Sequence, residues 1–372
     1  MMGEGMVAPT GSSPAQARDG LSVVGYLAAT VRALWQEHRA LTLVAAAFIV
    51  AASLAGMLAR WPGPVGFRHY VSVLTYLTPL VLPPLAFAQL WRYRHRYYTS
   101  GSTLPWYAAW RAAAHDLWRR DLTLERALFY VAALLLTALV LATFGGWKQA
   151  YPALAPFAWD VPFMRLDRAL HLGRLPHEWL ASVLARPRLV WALDRLYIVS
   201  YFGVVALGWL VAAAAPPSAL RRRFLLTNAL AWVLLGAVAA TAFSSAGPWA
   251  YGAVAGTPDP YAGLMGWLQA IDASGLHLKA LAAQRILWEA HESGRVLTAA
   301  GISAMPSLHI AMVTLLALAS WRLSPWLGAL AGLYALVMLA GSVLTGMHYA
   351  VDGYAGIVLT AALWRLAGRL AP

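Results

Sequence analysis

The chain contains no cysteine. That excludes disulfides, thiolate metal sites and a cysteine nucleophile. It leaves the compartment open, since an oxidising space permits disulfides without requiring them. Charge is also scarce: 12% of the 372 residues are charged, about half the ~25% of an average soluble domain. Acid is the rarer sign, with 15 Asp and Glu against 28 Lys and Arg and a net charge of +13. There is no H-E-x-x-H stretch and no cysteine–histidine cluster, so neither a metal nor another cofactor is expected. Residues 1–20 lack the apolar core of a cleavable signal peptide. They are polar and rich in Gly, Ser, Pro and Ala, which reads as a disordered cytoplasmic tail.

Apolar residues are what the chain has in excess. They make up 60% of it, and the mean hydropathy is +0.60. A soluble monomer does not tolerate that much exposed apolar surface, so the solvent is lipid. A spanning helix needs about 20 mostly apolar residues. Such runs cover 40–59, 70–91, 127–147, 196 to about 216, 224–243, 303–321, 326–344 and 348–366. The expectation is an all-α polytopic bundle of about eight transmembrane helices. The chain divides into a cytoplasmic tail and juxtamembrane helix (1–38), three N-terminal spans (39–147) and a catalytic membrane domain (148–372).

The basic residues orient the bundle. Arg92, Arg94, Arg96, Arg111, Arg119 and Arg120 follow the second run, and Arg221, Arg222 and Arg223 precede the fifth. Arg322 follows the sixth, and Arg365 and Arg369 close the eighth. With simple alternation all lie on one side, which the positive-inside rule makes the cytoplasm. Both termini are then cytoplasmic in a cell (inner) membrane protein. The same placement, in loops between apolar runs, fits anionic lipid rather than nucleic acid as the partner of the positive charge. Two long loops fall outside. Leu166, Leu170, Leu180, Leu184 and Leu189 in one, and Leu276, Leu278, Leu281, Ile286 and Leu287 in the other, sit among polar residues. Both loops predict amphipathic interfacial helices, serving equally well as a cap over the bundle or as a substrate guide.

Two polar stretches open spans on that outer side. One is Ser303-Ala304-Met305-Pro306-Ser307-Leu308-His309; the other is Gly346-Met347-His348-Tyr349-Ala350-Val351-Asp352-Gly353. Ionisable groups in membrane segments are costly and usually functional. His348 and Asp352 are four apart, which places them on one helical face. The carboxylate there can take a proton from one ring nitrogen and leave the other as nucleophile or base. His309 arrives from a neighbouring helix. Two imidazoles facing one phosphorus suit a two-step displacement, in which one attacks and the other handles protons. Pro306 is compatible with a first helical turn. Free N–H groups there, with the Ser307 hydroxyl, suit a phosphate oxygen. His171, His177, His277 and His291 lack such company and read as ordinary polar residues.

Pro306-Ser307-Leu308-His309 followed by His348-Tyr349-Ala350-Val351-Asp352 resembles the type 2 phosphatidic acid phosphatase superfamily. The similarity is to the branch of fungal inositol phosphorylceramide synthase and its bacterial relatives. Ser244 to Gly252, with Gly247, Pro248 and Tyr251, is similar to a further motif of that branch. The resemblance implies that His348 attacks phosphorus, Asp352 orients it and His309 is the acid/base. It makes Ser307, Gly247, Pro248, Tyr251 and Ser342 the candidates for substrate contact. The phosphatase pattern has Ser-Arg where Gly341-Ser342 stand, and its early Lys…Arg-Pro motif is not evident. A diester head group carries less charge and needs fewer cations, so these departures favour a synthase-like transferase. Replacement cations are available in Arg165, Arg168, Arg174, Lys279, Arg285 and Arg295.

The function expected is an integral membrane phosphotransferase working through a phosphohistidine. It takes a phospholipid or other lipid phosphoester as donor, and a lipid, a polar alcohol or water as acceptor. Hydrolysis of phosphatidate or a polyprenyl pyrophosphate is the alternative within the chemistry. A non-enzymatic transporter is the alternative outside it, but the fifth and seventh spans carry few of the mid-span polar groups that transport uses.

Overall fold

The computed structural model describes residues 22–59, 62–101, 104–150, 155–256, 258–295, 297 and 301–371. The expected cytoplasmic tail over 1–20 lies outside them. All regular structure among the described residues is helical. In lipid each backbone group must be satisfied within its own segment, which only a helix or a closed barrel achieves.

We number the principal helices α1 (Val23–Ala59), α2 (Phe67–Thr99), α3 (Trp106–Arg120), α4 (Leu124–Ala150), α5 (Asp160–Leu170), α6 (Pro187–Ala214) and α7 (Ala219–Ala242). There follow α8 (Ala262–Ile271), α9 (Lys279–Ser293), α10 (Leu308–Leu323), α11 (Pro325–Leu344) and α12 (Ala350–Leu370). Seven of them, α1, α2, α4, α6, α7, α11 and α12, are long and apolar enough to cross a membrane. The eighth expected span, α10, has 16 residues, about 24 Å at 1.5 Å each. It starts five residues later than its apolar run because 303–307 is not helical. The chain is an integral membrane protein with an all-α bundle.

Two helices depart from expectation. α1 runs unbroken from Val23, so the juxtamembrane segment and the first span are one rod of 37 residues. The arginine-rich stretch after α2 contains α3, which folds back onto α2. Tyr93 and Tyr97 of α2 donate to Asp121 and Asp116, each at 2.8 Å. Arg94 lies over the Trp91 and Trp110 rings, 4.8 Å from each.

The main core joins α1, α4, α6, α7, α10 and α12 through residues such as Leu41, Phe48, Phe144, Phe224, Leu315 and Trp364. A buried ion pair reinforces it at one end. Arg221 of α7 binds Glu37 of α1 at 2.6 Å and also donates to the carbonyls of Phe129 and Ala213. The opposite end is capped by α5, α8 and α9 over a second core that includes Phe163, Leu264, Leu278 and Tyr349. The catalytic candidates lie beneath this cap.

The cap helix α5 is amphipathic, with its leucines facing outward and two aspartates facing the bundle. Leu166 and Leu170 are 45% and 57% exposed, whereas Asp160 and Asp167 are 2% and 1%. The aspartates point inward because they have partners there.

Candidate active site

His348 precedes α12 rather than lying on it. The helix begins at Ala350, with Tyr349 as its N-cap and Asp352 in its first turn. The expectation of one shared helical face is therefore corrected. The Ser342 carbonyl takes the N–H of His348 at 3.2 Å and that of Met347 at 3.1 Å, which holds the histidine in a turn. The pairing itself forms: His348 Nδ1 lies 3.3 Å from Asp352 Oδ2. That same oxygen accepts the Tyr349 N–H at 2.9 Å. A carboxylate offers only acceptors, so Nδ1 carries the proton and Nε2 is left with its lone pair.

His309 sits in the first turn of α10. Its ring centroid is 6.0 Å from that of His348, with the planes 62° apart. The Tyr197 and Tyr201 rings of α6 cover it, with centroids at 5.1 and 4.2 Å. The two histidine motifs are joined through the backbone, where the Ser307 N–H donates to the Asp352 carbonyl at 3.0 Å. Pro306 lies outside the helix, ahead of the N-cap Ser307. It is not in the first helical turn as expected, because Ser307 itself caps that turn: its hydroxyl accepts the Ile310 N–H at 3.4 Å.

The Ser244–Gly252 stretch is brought to the same place. Gly247 has φ +101°, and a Cβ there would lie 2.7 Å from the Met347 carbonyl oxygen. Only glycine allows that approach, which sets the Gly247-Pro248 turn against the residue before His348. Tyr251 is buried against Tyr261 in the cap core. Ser342 is fully buried, its hydroxyl donating to the Leu339 carbonyl at 2.7 Å; it organises the turn before His348.

Three aspartates unmarked in the motif reading hold this assembly together. Asp160 accepts the N–H groups of Ala246 and Gly247 and the Tyr349 hydroxyl, the last at 2.8 Å. Asp167 accepts the N–H groups of Ala350 and Val351, both at 2.9 Å. Asp194 accepts those of Lys279 and Ala280, at 2.8 and 2.7 Å. Asp167 and Asp194 thus cap the starts of α12 and α9 from another part of the chain, where unpaired N–H groups and the helix dipole favour an anion. Burial pushes the Asp160 carboxyl up and that of Asp167 up to about 6, against the pull of these N–H donors. The signal available in sequence was the spacing of Asp160, Phe163 and Asp167, which shares one helical face.

The six candidate replacement cations are all exposed, and Arg174 is paired with Glu178 at 3.7 Å. His171 bonds the Asp167 carbonyl and the Tyr354 hydroxyl, and His291 stacks near Phe157 and Trp288. Among the described residues no group of three His, Asp or Glu is placed to hold a metal ion.

Neither a curated protein nor a solved structure matches the chain. A family model described as the PAP2 superfamily matches residues 161–366, from within α5 to within α12. That span includes both histidines, Asp352, Asp167 and the Gly247-Pro248 turn. The chain belongs to the PAP2 superfamily and has the lipid phosphatase or phosphotransferase type of function that goes with it.

Proposed function

We propose that the chain is a phosphotransferase that moves a head-group phosphate from a lipid phosphodiester to an alcohol, in the manner of inositol phosphorylceramide synthase. The observation that carries this reading is the pair of facing imidazoles, only one of which has a carboxylate partner. Asp352 holds His348 with Nε2 free to attack phosphorus. His309 protonates the departing lipid oxygen. It then takes the proton of the acceptor alcohol, whose oxygen attacks phosphorus and releases His348.

The absence of an arginine at position 342 favours a diester donor over a phosphomonoester. Ser342 is buried, its hydroxyl donating to the Leu339 carbonyl, and it supplies no charge in the arginine's place. The concentration of arginines at the far end of α2, α7 and α12 supports a site on the outer face of the membrane. Donor lipids then enter from the outer leaflet, and both termini lie in the cytoplasm.

The test is turnover by purified protein in detergent, with a labelled phospholipid and with or without a long-chain alcohol acceptor. The expected outcome is a labelled transfer product that depends on the acceptor. Release of inorganic phosphate from phosphatidate, independent of any alcohol, would instead make the chain a lipid phosphatase.

A further inference from the structure

Tyr197 is among the largest fully buried side chains of the protein, with 0% exposure. Among the described residues its hydroxyl has no hydrogen-bond partner. A buried hydroxyl left unpaired is destabilising, so such groups call for an explanation. Its ring lies against His309, the centroids 5.1 Å apart. The orphaned donor therefore lies within the histidine site.

The fold places it there by specific means. Tyr197 belongs to a wide π-type turn within α6, Arg195–Ser200, a feature frequent at functional sites. The start of the turn is anchored: Asp194 holds the start of α9, and Arg195 donates to the His277 carbonyl at 2.8 Å. Across from it is Gly341. A Cβ at that position would lie 3.1 Å from the Tyr197 Cβ, so the tyrosine occupies the space next to a bare backbone. Gly341-Ser342 is also the pair that stands in place of Ser-Arg in the phosphatase pattern.

We propose that the Tyr197 hydroxyl hydrogen-bonds a non-bridging oxygen of the phosphoryl group while that group sits between His309 and His348. This rests on the phosphotransfer reading above and specifies it. A neutral donor stabilises the added charge of the transition state without the excess attraction of a guanidinium, which suits a singly charged phosphodiester. Preorganised donors of this kind act mainly on the transition state.

The test is Tyr197→Phe, which keeps the ring and removes only the hydroxyl. The hydroxyl has no partner in the free protein, so thermal stability in detergent should be unchanged or slightly raised. Turnover should fall by about 10²–10³-fold, the loss typical of one oxyanion donor, in kcat rather than KM. Unchanged kcat, or a loss of activity matched by a loss of thermal stability, overturns the proposal. His348→Ala assayed in parallel separates the two levels of the account. Activity in that variant overturns the histidine chemistry and the tyrosine role with it. An inactive His348→Ala beside a fully active Tyr197→Phe overturns the tyrosine role alone.

Discussion

Asp167 Oδ1 and the Val351 N–H meet at 2.9 Å across 184 residues of sequence. Through this contact, and its twin at Ala350, a cap helix fixes the first turn of the helix that carries Asp352. The position of the Asp352 carboxylate therefore depends on a residue in no recognised motif. Replacing Asp167 with Ala leaves two buried N–H groups unpaired, at a cost of about 1–3 kcal/mol each. The expected result is a clear drop in the thermal midpoint in detergent, together with lower turnover at temperatures where the variant is still folded. A midpoint equal to that of the parent would remove Asp167 from the supporting framework.

The same residue gives a pH dependence of known sign. Its carboxyl is raised to about 6 by burial, with Asp352 also pushing it up and His171 opposing, against about 3.9 in an unfolded chain. A group raised in this way contributes stability that is complete below the unfolded value and is lost as the pH rises through 6. Asp167→Asn does not titrate. The stability of the parent relative to this variant should therefore decline between pH 4 and pH 7, by about 1–3 kcal/mol. Parallel thermal melts of the two proteins across that range measure it, and a constant difference would contradict it.

Gly247→Ala combines a positive φ with a contact of 2.7 Å to the Met347 carbonyl oxygen. The backbone conformation alone costs about 1–2 kcal/mol for a residue with a Cβ, and the clash pushes directly on the residue before His348. Turnover should fall at least tenfold in folded protein. Substitution at Gly263, where a Cβ meets nothing within 4 Å, provides the comparison and should leave turnover intact. Equal activity in the two variants would contradict the geometry.

Far from the site, Arg221 and Glu37 form an ion pair with side chains 0% and 5% exposed. Losing one member of a buried pair typically costs about 3–5 kcal/mol when the other charge is left uncompensated; Glu37 has a second partner in Arg222 at 3.3 Å, which offsets part of that cost when Arg221 is replaced. Arg221→Met and Glu37→Gln should each lower the melting temperature, and the double variant should lose less than the sum of the two. Strict additivity would show that the pair does not couple α1 to α7.

The candidate trio was legible in sequence because its proposed chemistry is written in residue type and spacing. His309, His348 and Asp352 do come together. The route by which they meet was less legible. The four-residue spacing of His348 and Asp352 suggested a helical face, whereas a turn held by the Ser342 carbonyl produces the same pairing. The cap was harder still. Leucine spacing on α5 pointed to an amphipathic interfacial helix but not to what its polar face would hold. At a membrane surface apolar side chains can face outward, which freed the other face of α5 to carry Asp160 and Asp167. Their partners are backbone N–H groups more than 80 residues away, and no local pattern encodes those. Tyr197 looks in sequence like one more aromatic residue at the start of a span; only its burial and its unpaired hydroxyl distinguish it.

His348 is the residue proposed to bond covalently to phosphorus. The most direct test of that bond is rapid quenching of purified protein with a donor phospholipid radiolabelled at phosphorus, followed by peptide mapping. The account predicts an acid-labile, alkali-stable label on the peptide containing His348, absent from His348→Ala and discharged by acceptor alcohol. Undiminished transfer by His348→Ala, or label bound stably to any other residue, would contradict it.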